Sequence, residues 1–210
     1  MKKFAKDIVD SFSVSQQEAR FASLSYSSEA EVNFNFVRHS TAEKVKRAID
    51  ALPHKKSNTR VDKALELAAS DIFSLQGGAR TRRPMVLIVF FDGDVSRDMK
   101  DLAEVAGPLK DYGVKIVAVG VGPEVNTYQL AKVASSSNVI YKARTFGELL
   151  PELYSIAEET CSGKTGSPEH NFALLFQSFD PLPKIYFVSS IIFHFFYSQR
   201  NLASVLQILI

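Results

Sequence analysis

Acidic side chains gather behind one apolar run. Residues 85–98 read MVLIVFFDGDVSRD, so Asp92, Asp94, Ser96 and Asp98 occupy every second position once the run ends. Carboxylate and hydroxyl oxygens are hard donors, and this alternation imitates the start of a calcium loop. Arg97 stands where that loop needs glycine, and Ala103 where it needs a bidentate glutamate, which argues against calcium. A purely structural reading has Asp92 capping its turn and the next helix, and Thr59 capping the helix it precedes. The four histidines, His39, His54, His170 and His194, are scattered and pair with no nucleophile, so a hydrolase triad has no support.

The elements that must position these residues follow from periodicity. The uninterrupted apolar run 85–91 is rich in β-branched and aromatic types, as strands buried on both faces of a parallel sheet are. Asp92 then lies at a strand's carboxyl end, where open α/β sheets bind ligands. A second doubly buried strand is expected at 115–121 (KIVAVGV) and a short one at 138–142. Segments 20–26 and 32–37 alternate about the polar turn SSEAE, which predicts an antiparallel hairpin at a sheet edge. Helical spacing predicts helices over 1–12, 42–52, 61–75, 98–110, 125–133 and 145–159. Ser40 or Thr41 can cap the second, Pro53 stops it, and the polar turn of Ser57, Asn58 and Thr59 precedes the third. Strand and helix alternate through the second half, the pattern of a doubly wound, mostly parallel α/β sheet.

Composition bounds the function. The chain has 210 residues, 46% hydrophobic and 23% charged, ordinary values for a globular domain. A formal net charge of +2 argues against a nucleic-acid partner. Arg80, Arg82 and Arg83 read as a solvated loop rather than an anion site. The single cysteine, Cys161, cannot form an internal disulfide, and the amphipathic start MKKFAKDIVDSF is not a signal peptide. Residues 162–184 open with SGKTGSPEH and read as a linker by composition. The apolar tail 185–210 is broken by Gln199, Arg200 and Asn201, and a membrane helix needs roughly 20 predominantly apolar residues. Burial, membrane contact and a non-domain extension all stay open for it.

The blocks VLIVFFDGDVSRD, GVKIVAVGVGPEVNTYQLAKVASSSNVIY and FGELLPELYSIAEETC resemble a von Willebrand factor type A domain. SNTRVDKALELA resembles that family's threonine loop, and ARFASLSYSSEAEVNF its edge hairpin, so the resemblance covers residues 1–161. It implies a protein-binding module of an extracellular matrix or cell-adhesion protein, not an enzyme. Many such modules engage their protein ligand through magnesium or manganese. The family's site uses an Asp-x-Ser-x-Ser loop, a threonine and a later aspartate. By position Thr59 resembles the threonine and Asp92 the aspartate, and the first loop has no counterpart. Ser11, Ser13 and Ser15 follow Asp10 at the wrong offsets and read as a polar turn. Cys161 resembles the family's terminal cysteine.

Three expectations follow. The family's first strand lies in mid-sheet beside 85–91; here it is missing, which leaves the domain incomplete and marginal. The tail segment 184–193 can pair into that gap. Magnesium or manganese is not bound tightly, because Thr59 and Asp92 alone leave most of its shell to water. The alternative function is a metal-independent structural or assembly domain. An enzymatic rival is a haloacid-dehalogenase-like phosphatase, whose nucleophile motif resembles an apolar strand ending in Asp92 and Asp94.

Overall fold

The computed structural model describes residues 1–52, 60–80, 82–91, 98–149, 151–152, 171–178 and 205–209. The strands are β1 (Arg20–Tyr26), β2 (Ala30–Phe34), β3 (Met85–Phe91), β4 (Val114–Val121), β5 (Ile140–Ala143), β6 (Asn171–Ser178) and β7 (Val205–Leu209). The helices are α1 (Lys2–Asp10), α2 (Ala42–Ala51), α3 (Val61–Leu67), α4 (Leu102–Asp111) and α5 (Thr127–Val133). All seven strands join one sheet in the order β2-β1-β7-β6-β3-β4-β5.

The apolar run is an interior strand, fifth in that order, and every residue of β3 is buried. β3 pairs in parallel with β4 over its whole length, and β4 pairs in parallel with β5. Successive side chains of a strand point to opposite faces, so neighbouring residues of β3 report both layers. Phe90 meets Phe4 of α1 edge-on at 5.7 Å, and Phe146 joins the pair at 5.8 Å from Phe90 and 5.9 Å from Phe4. On the other face Gly120, level with Phe91, lies under the α5 side: an added Cβ there would come within 2.3 Å of Val125 Cγ1 and 3.0 Å of Leu130 Cδ1. Helices on both faces of a largely parallel sheet make the doubly wound architecture that the alternation predicts. α1 packs with α2, while α4 lies between α3 and α5.

The edge hairpin is present, with β2 as the outer strand. The polar positions of β1 do not face water. Ser23 and Ser25 are buried, and Asn33 of β2 satisfies both: its amide donates to Ser23 Oγ (3.0 Å) and Ser25 Oγ (2.7 Å), and its Oδ1 accepts from Ser25 Oγ (2.9 Å).

Helix ends follow the caps rather than the apolar spacing. Thr41 Oγ1 accepts from the Lys44 amide (3.4 Å) at the start of α2. Asp101 Oδ1 accepts from the amides of Ala103 (2.9 Å) and Glu104 (3.4 Å), so α4 starts at Leu102, not at 98. Asn126 does the same for α5, which starts at Thr127 rather than 125. The long helix expected over 61–75 is a correction: α3 ends at Leu67 and a π-helical stretch, Ala68–Ile72, continues it. The wider turn rotates the stripe, burying Phe73 and leaving Leu75 79% exposed. Residues 145–149 form a turn where a helix was expected, and 151–152 are helical; 153–159 and Cys161 lie outside the described residues.

The slot beside β3, where the missing first strand was expected to leave a gap, is occupied, though not by the segment expected. β6 pairs in parallel with β3 (Met85–Ile88 against Asn171–Leu174) and with the first residues of β1 (Arg20–Ala22 against Asn171–Ala173). Towards the carboxyl end β7 enters between them, antiparallel to both β6 and the Ser23–Tyr26 half of β1. Backbone amides of a central strand must be paired, and these two strands supply the partners. β6 therefore lies inside the stretch read as a linker, 162–184. The segment 184–193, expected to fill the slot, lies outside the described residues, and the apolar tail enters the sheet through Val205–Leu209 instead.

Candidate ligand-binding edge

At the carboxyl edge of the sheet three chain segments meet: the hairpin turn after β1, the start of α3, and the segment leading into α4. Their junction is Arg60. Its amide donates to Ser27 O (3.1 Å), and its guanidinium grips Asp62 with two bonds, Nε to Oδ1 (2.9 Å) and Nη2 to Oδ2 (2.6 Å). Nη1 also reaches the Asp98 carboxylate at 3.5 Å. Asp62 Oδ2 additionally accepts from the Lys100 amide (3.1 Å). Lys63 donates to Ser28 O (3.1 Å) and pairs with Glu29, which closes the hairpin turn onto α3.

The electrostatics are those of a structural clamp. Asp62 is fully buried and Arg60 is 18% exposed. Burial alone would push the Asp62 carboxyl up, but the Arg60 bonds and the amides of Lys100 and Lys63 outweigh it and hold it below the usual carboxylate range. The same pair raises Arg60 above its ordinary value, against a smaller opposing cost of burial. Farther along the edge Asp101 pairs with Lys132, and Lys100 Nζ with Glu66 Oε1 at 2.6 Å. A cleft of about 840 Å³ opens here, lined by Ala69, Lys100, Val105 and Pro108 among others.

The sequence-predicted residues are distributed unevenly around this clamp. Thr59, Asp92, Asp94, Ser96 and Arg97 lie outside the described residues. Their flanks are described: Arg60 follows Thr59, Phe91 precedes Asp92, and Asp98 is exposed beside Arg60. One expected structural role, the cap of α4, falls to another residue, and the cap expected of Thr59 lies outside the described residues. Arg60 occupies the cap position of α3 without a side-chain cap bond, and Asp101, not Asp92, caps α4. Ser11 and Ser15 make the expected polar turn: Ser11 Oγ donates to Asp7 O, and Ser15 Oγ accepts from the amides of Gln17 and Glu18. Arg80 corrects the reading of a solvated basic loop, because its guanidinium donates to the carbonyls of Gln17 (2.8 Å) and Glu18. His39 packs against the Phe34 ring at 4.8 Å, while His54, His170 and His194 lie outside the described residues. Among the described residues no group of three or more His, Cys, Asp or Glu is placed to hold a metal ion.

Arg60 and Asp62 escaped the sequence reading, because an aspartate in the first turn of a helix is an ordinary placement and nothing in the sequence marks this one as buried.

The family model of the von Willebrand factor type A domain matches residues 1–156. The chain belongs to that family. Its relatives are of the matrix type. Matrilin-1 of Gallus gallus is 31% identical over 173 residues, which cover 79% of this chain and 34% of matrilin-1. The collagen alpha-6(VI) chain of Mus musculus is 32% identical over 165 residues, covering 77% of this chain and 7% of the collagen chain. Among solved structures, proximal thread matrix protein 1 from the mussel byssus, with a zinc-occupied MIDAS motif, aligns with a TM-score of 0.70 at 28% identity. That alignment covers 77% of this chain and 40% of the mussel protein. This chain thus spans about a third of the length of matrilin-1. The bacterial protein BatB, at 14% identity and a TM-score of 0.58, shares the fold.

Proposed function

We propose that this chain is a protein-binding module of a secreted extracellular matrix or cell-adhesion protein, and that it works without a tightly held metal ion. The observation that carries the reading is the family match over residues 1–156 together with matrilin and collagen VI relatives at 31% and 32% identity. The binding unit is residues 1–161, to whose sheet β6 and β7 add strands. Ligands meet it at the carboxyl edge, around the clamp of Arg60, Asp62 and Asp98.

The mussel protein's zinc-occupied motif makes metal the first question for this edge. Thr59 and Asp92 are the residues that would hold magnesium or manganese, and so few protein oxygens hold such an ion weakly. Arg60, next to Thr59, engages the carboxylates of both Asp62 and Asp98, so neither stands as a free ligand for an ion. The alternative of a metal-independent assembly domain uses the same fold and the same edge.

Binding of the purified chain to decellularised matrix, in magnesium and in EDTA, tests the reading. Equal binding in both is expected. Loss in EDTA would overturn the metal-independent part, and no binding in either would overturn the module itself. Isothermal titration with magnesium and manganese should find no saturable micromolar site; such a site, abolished by Asp92→Ala, would contradict weak holding.

A further inference from the structure

We propose that the opposite, amino edge of the sheet carries a second and separate docking surface, a cationic cleft formed by Arg38, His39, Lys44 and Arg47 that takes a sulfated polysaccharide chain. β2 runs antiparallel to β1 and ends with Phe34 level with Ser23, so the chain leaves it towards the amino end of β1, and the segment 35–41 and the first turn of α2 lie away from the Arg60 clamp. Phe36 anchors that segment by donating its amide to Gly77 O (3.0 Å). The cleft between it and α2 measures about 450 Å³ and is lined by the four named residues and Ala48.

The cations here are available, unlike those nearby. Lys6 pairs with Asp50 and Lys46 with Asp10, both across the seam between α1 and α2. Arg38, Lys44 and Arg47 are exposed, and among the described residues none of their side chains makes an ion pair or hydrogen bond. Lys44 and Arg47 stand three apart on α2, the spacing that puts side chains on one helix face. Glu43, the acid in the first turn of α2, bonds Thr41 through its side chain, and four residues before Arg47 it also feels that cation. Burial first, and then the charges of Arg38 and Lys44, hold the His39 imidazole below its usual range, which reflects how closely these cations converge.

The chemistry selects the occupant. The cleft is open; apolar side-chain carbon makes up much of its wall, and the polar side-chain atoms it presents are nitrogens. A peptide needs buried apolar anchors to offset the ordering of its chain, and this surface offers no pocket for them. A stiff, hydrated polyanion with regularly spaced sulfates needs only a row of cations.

Heparin oligosaccharide is the probe, measured by affinity chromatography and titration on the full chain, with poly-glutamate as comparator. The triple variant Arg38→Ser, Lys44→Ser, Arg47→Ser should weaken heparin binding about tenfold at physiological salt, the order expected for three exposed ion pairs. A control that removes equal charge elsewhere, Lys3→Ser, Arg82→Ser, Arg144→Ser, should bind as the parent does. Arg38→Lys with Arg47→Lys should also retain binding, which separates charge from folding. Heparin binding that is absent in the parent, or equal in the triple variant, overturns the proposal. Cleft-dependent binding of poly-glutamate in preference to heparin overturns the choice of polysaccharide. None of the cleft substitutions at Arg38, Lys44 and Arg47 lies at the carboxyl edge, so their outcome is independent of the matrix-binding test.

Discussion

Arg60 does at the residue scale what no other side chain does among the described residues of the carboxyl edge. It neutralises a carboxylate with no exposure at all and joins α3 to the segments on either side. Removing one member of a buried pair strands the other charge, which costs about 3–5 kcal/mol. Arg60→Ala should therefore lower stability by that order in a urea titration. Arg60→Met combined with Asp62→Asn, which removes both charges and keeps an acceptor for the Lys100 amide, should recover most of it. An unchanged midpoint in the single variant would show that the pair carries no weight. The pH dependence has a definite sign. The folded Asp62 carboxyl titrates below its ordinary value of 3.8, so its contribution is present above that value and is lost as pH falls through it towards the lower folded value. Asp62→Asn should flatten that part of the acid-unfolding curve.

At the scale of elements, the π-helical stretch after α3 sets how the chain leaves the sheet edge. The Phe73 amide bonds Ala68 O at 2.9 Å, the five-residue spacing of a π turn. The chain then folds back so tightly that a Cβ on Gly77 would lie 2.2 Å from the carbonyl oxygens of both Asp71 and Ile72. Backbone atoms cannot swing aside as a side-chain tip can. Gly77→Ala should cost about 1–3 kcal/mol by overpacking, with a further penalty if the shift breaks the Phe36 amide bond to Gly77 O. Thermal melting measures this, and a variant as stable as the parent would mean that the turn relaxes freely. Leu75 offers the converse: at 79% exposure, Leu75→Lys should change stability little, although its place in the apolar stripe marks it as core.

At the scale of the molecule, the central slot of the sheet is filled by the end of the chain. β3 has β4 on one side and β6 on the other, and β1 relies on β6 and β7 for its inner partners. Deleting residues 162–210 should expose backbone groups of two strands, each unpaired buried group costing about 1–3 kcal/mol against a domain total of about 5–15. The shortened chain is expected to lose its cooperative melt or to aggregate, and size-exclusion chromatography with calorimetry would show either. A monomer melting at the parent's temperature would mean that the remaining strands close up without β6 and β7.

The sequence by itself determined the doubly wound class, β3 as a strand buried on both faces, the edge hairpin and a cap for α2 at Ser40 or Thr41. These rest on local signals: unbroken apolar runs, period-two alternation and side chains that satisfy nearby amides. It also carried the family, because several blocks occur in a fixed order. The start of α4 was legible in Asp101 but was outweighed by the acidic residues upstream. The strand Asn171–Ser178 was legible as well, since its Phe172, Leu174, Leu175 and Phe176 are strand-forming types, yet the polar stretch before it marked the whole segment as linker. Only the tertiary structure decided which segment enters the slot beside β3, because partner choice between distant strands depends on what the rest of the sheet leaves open. The same holds for the Arg60–Asp62 clamp, the buried serines of β1 and the unpaired cations of the amino edge. Burial and pairing are properties of the assembled chain, and residue type alone does not contain them.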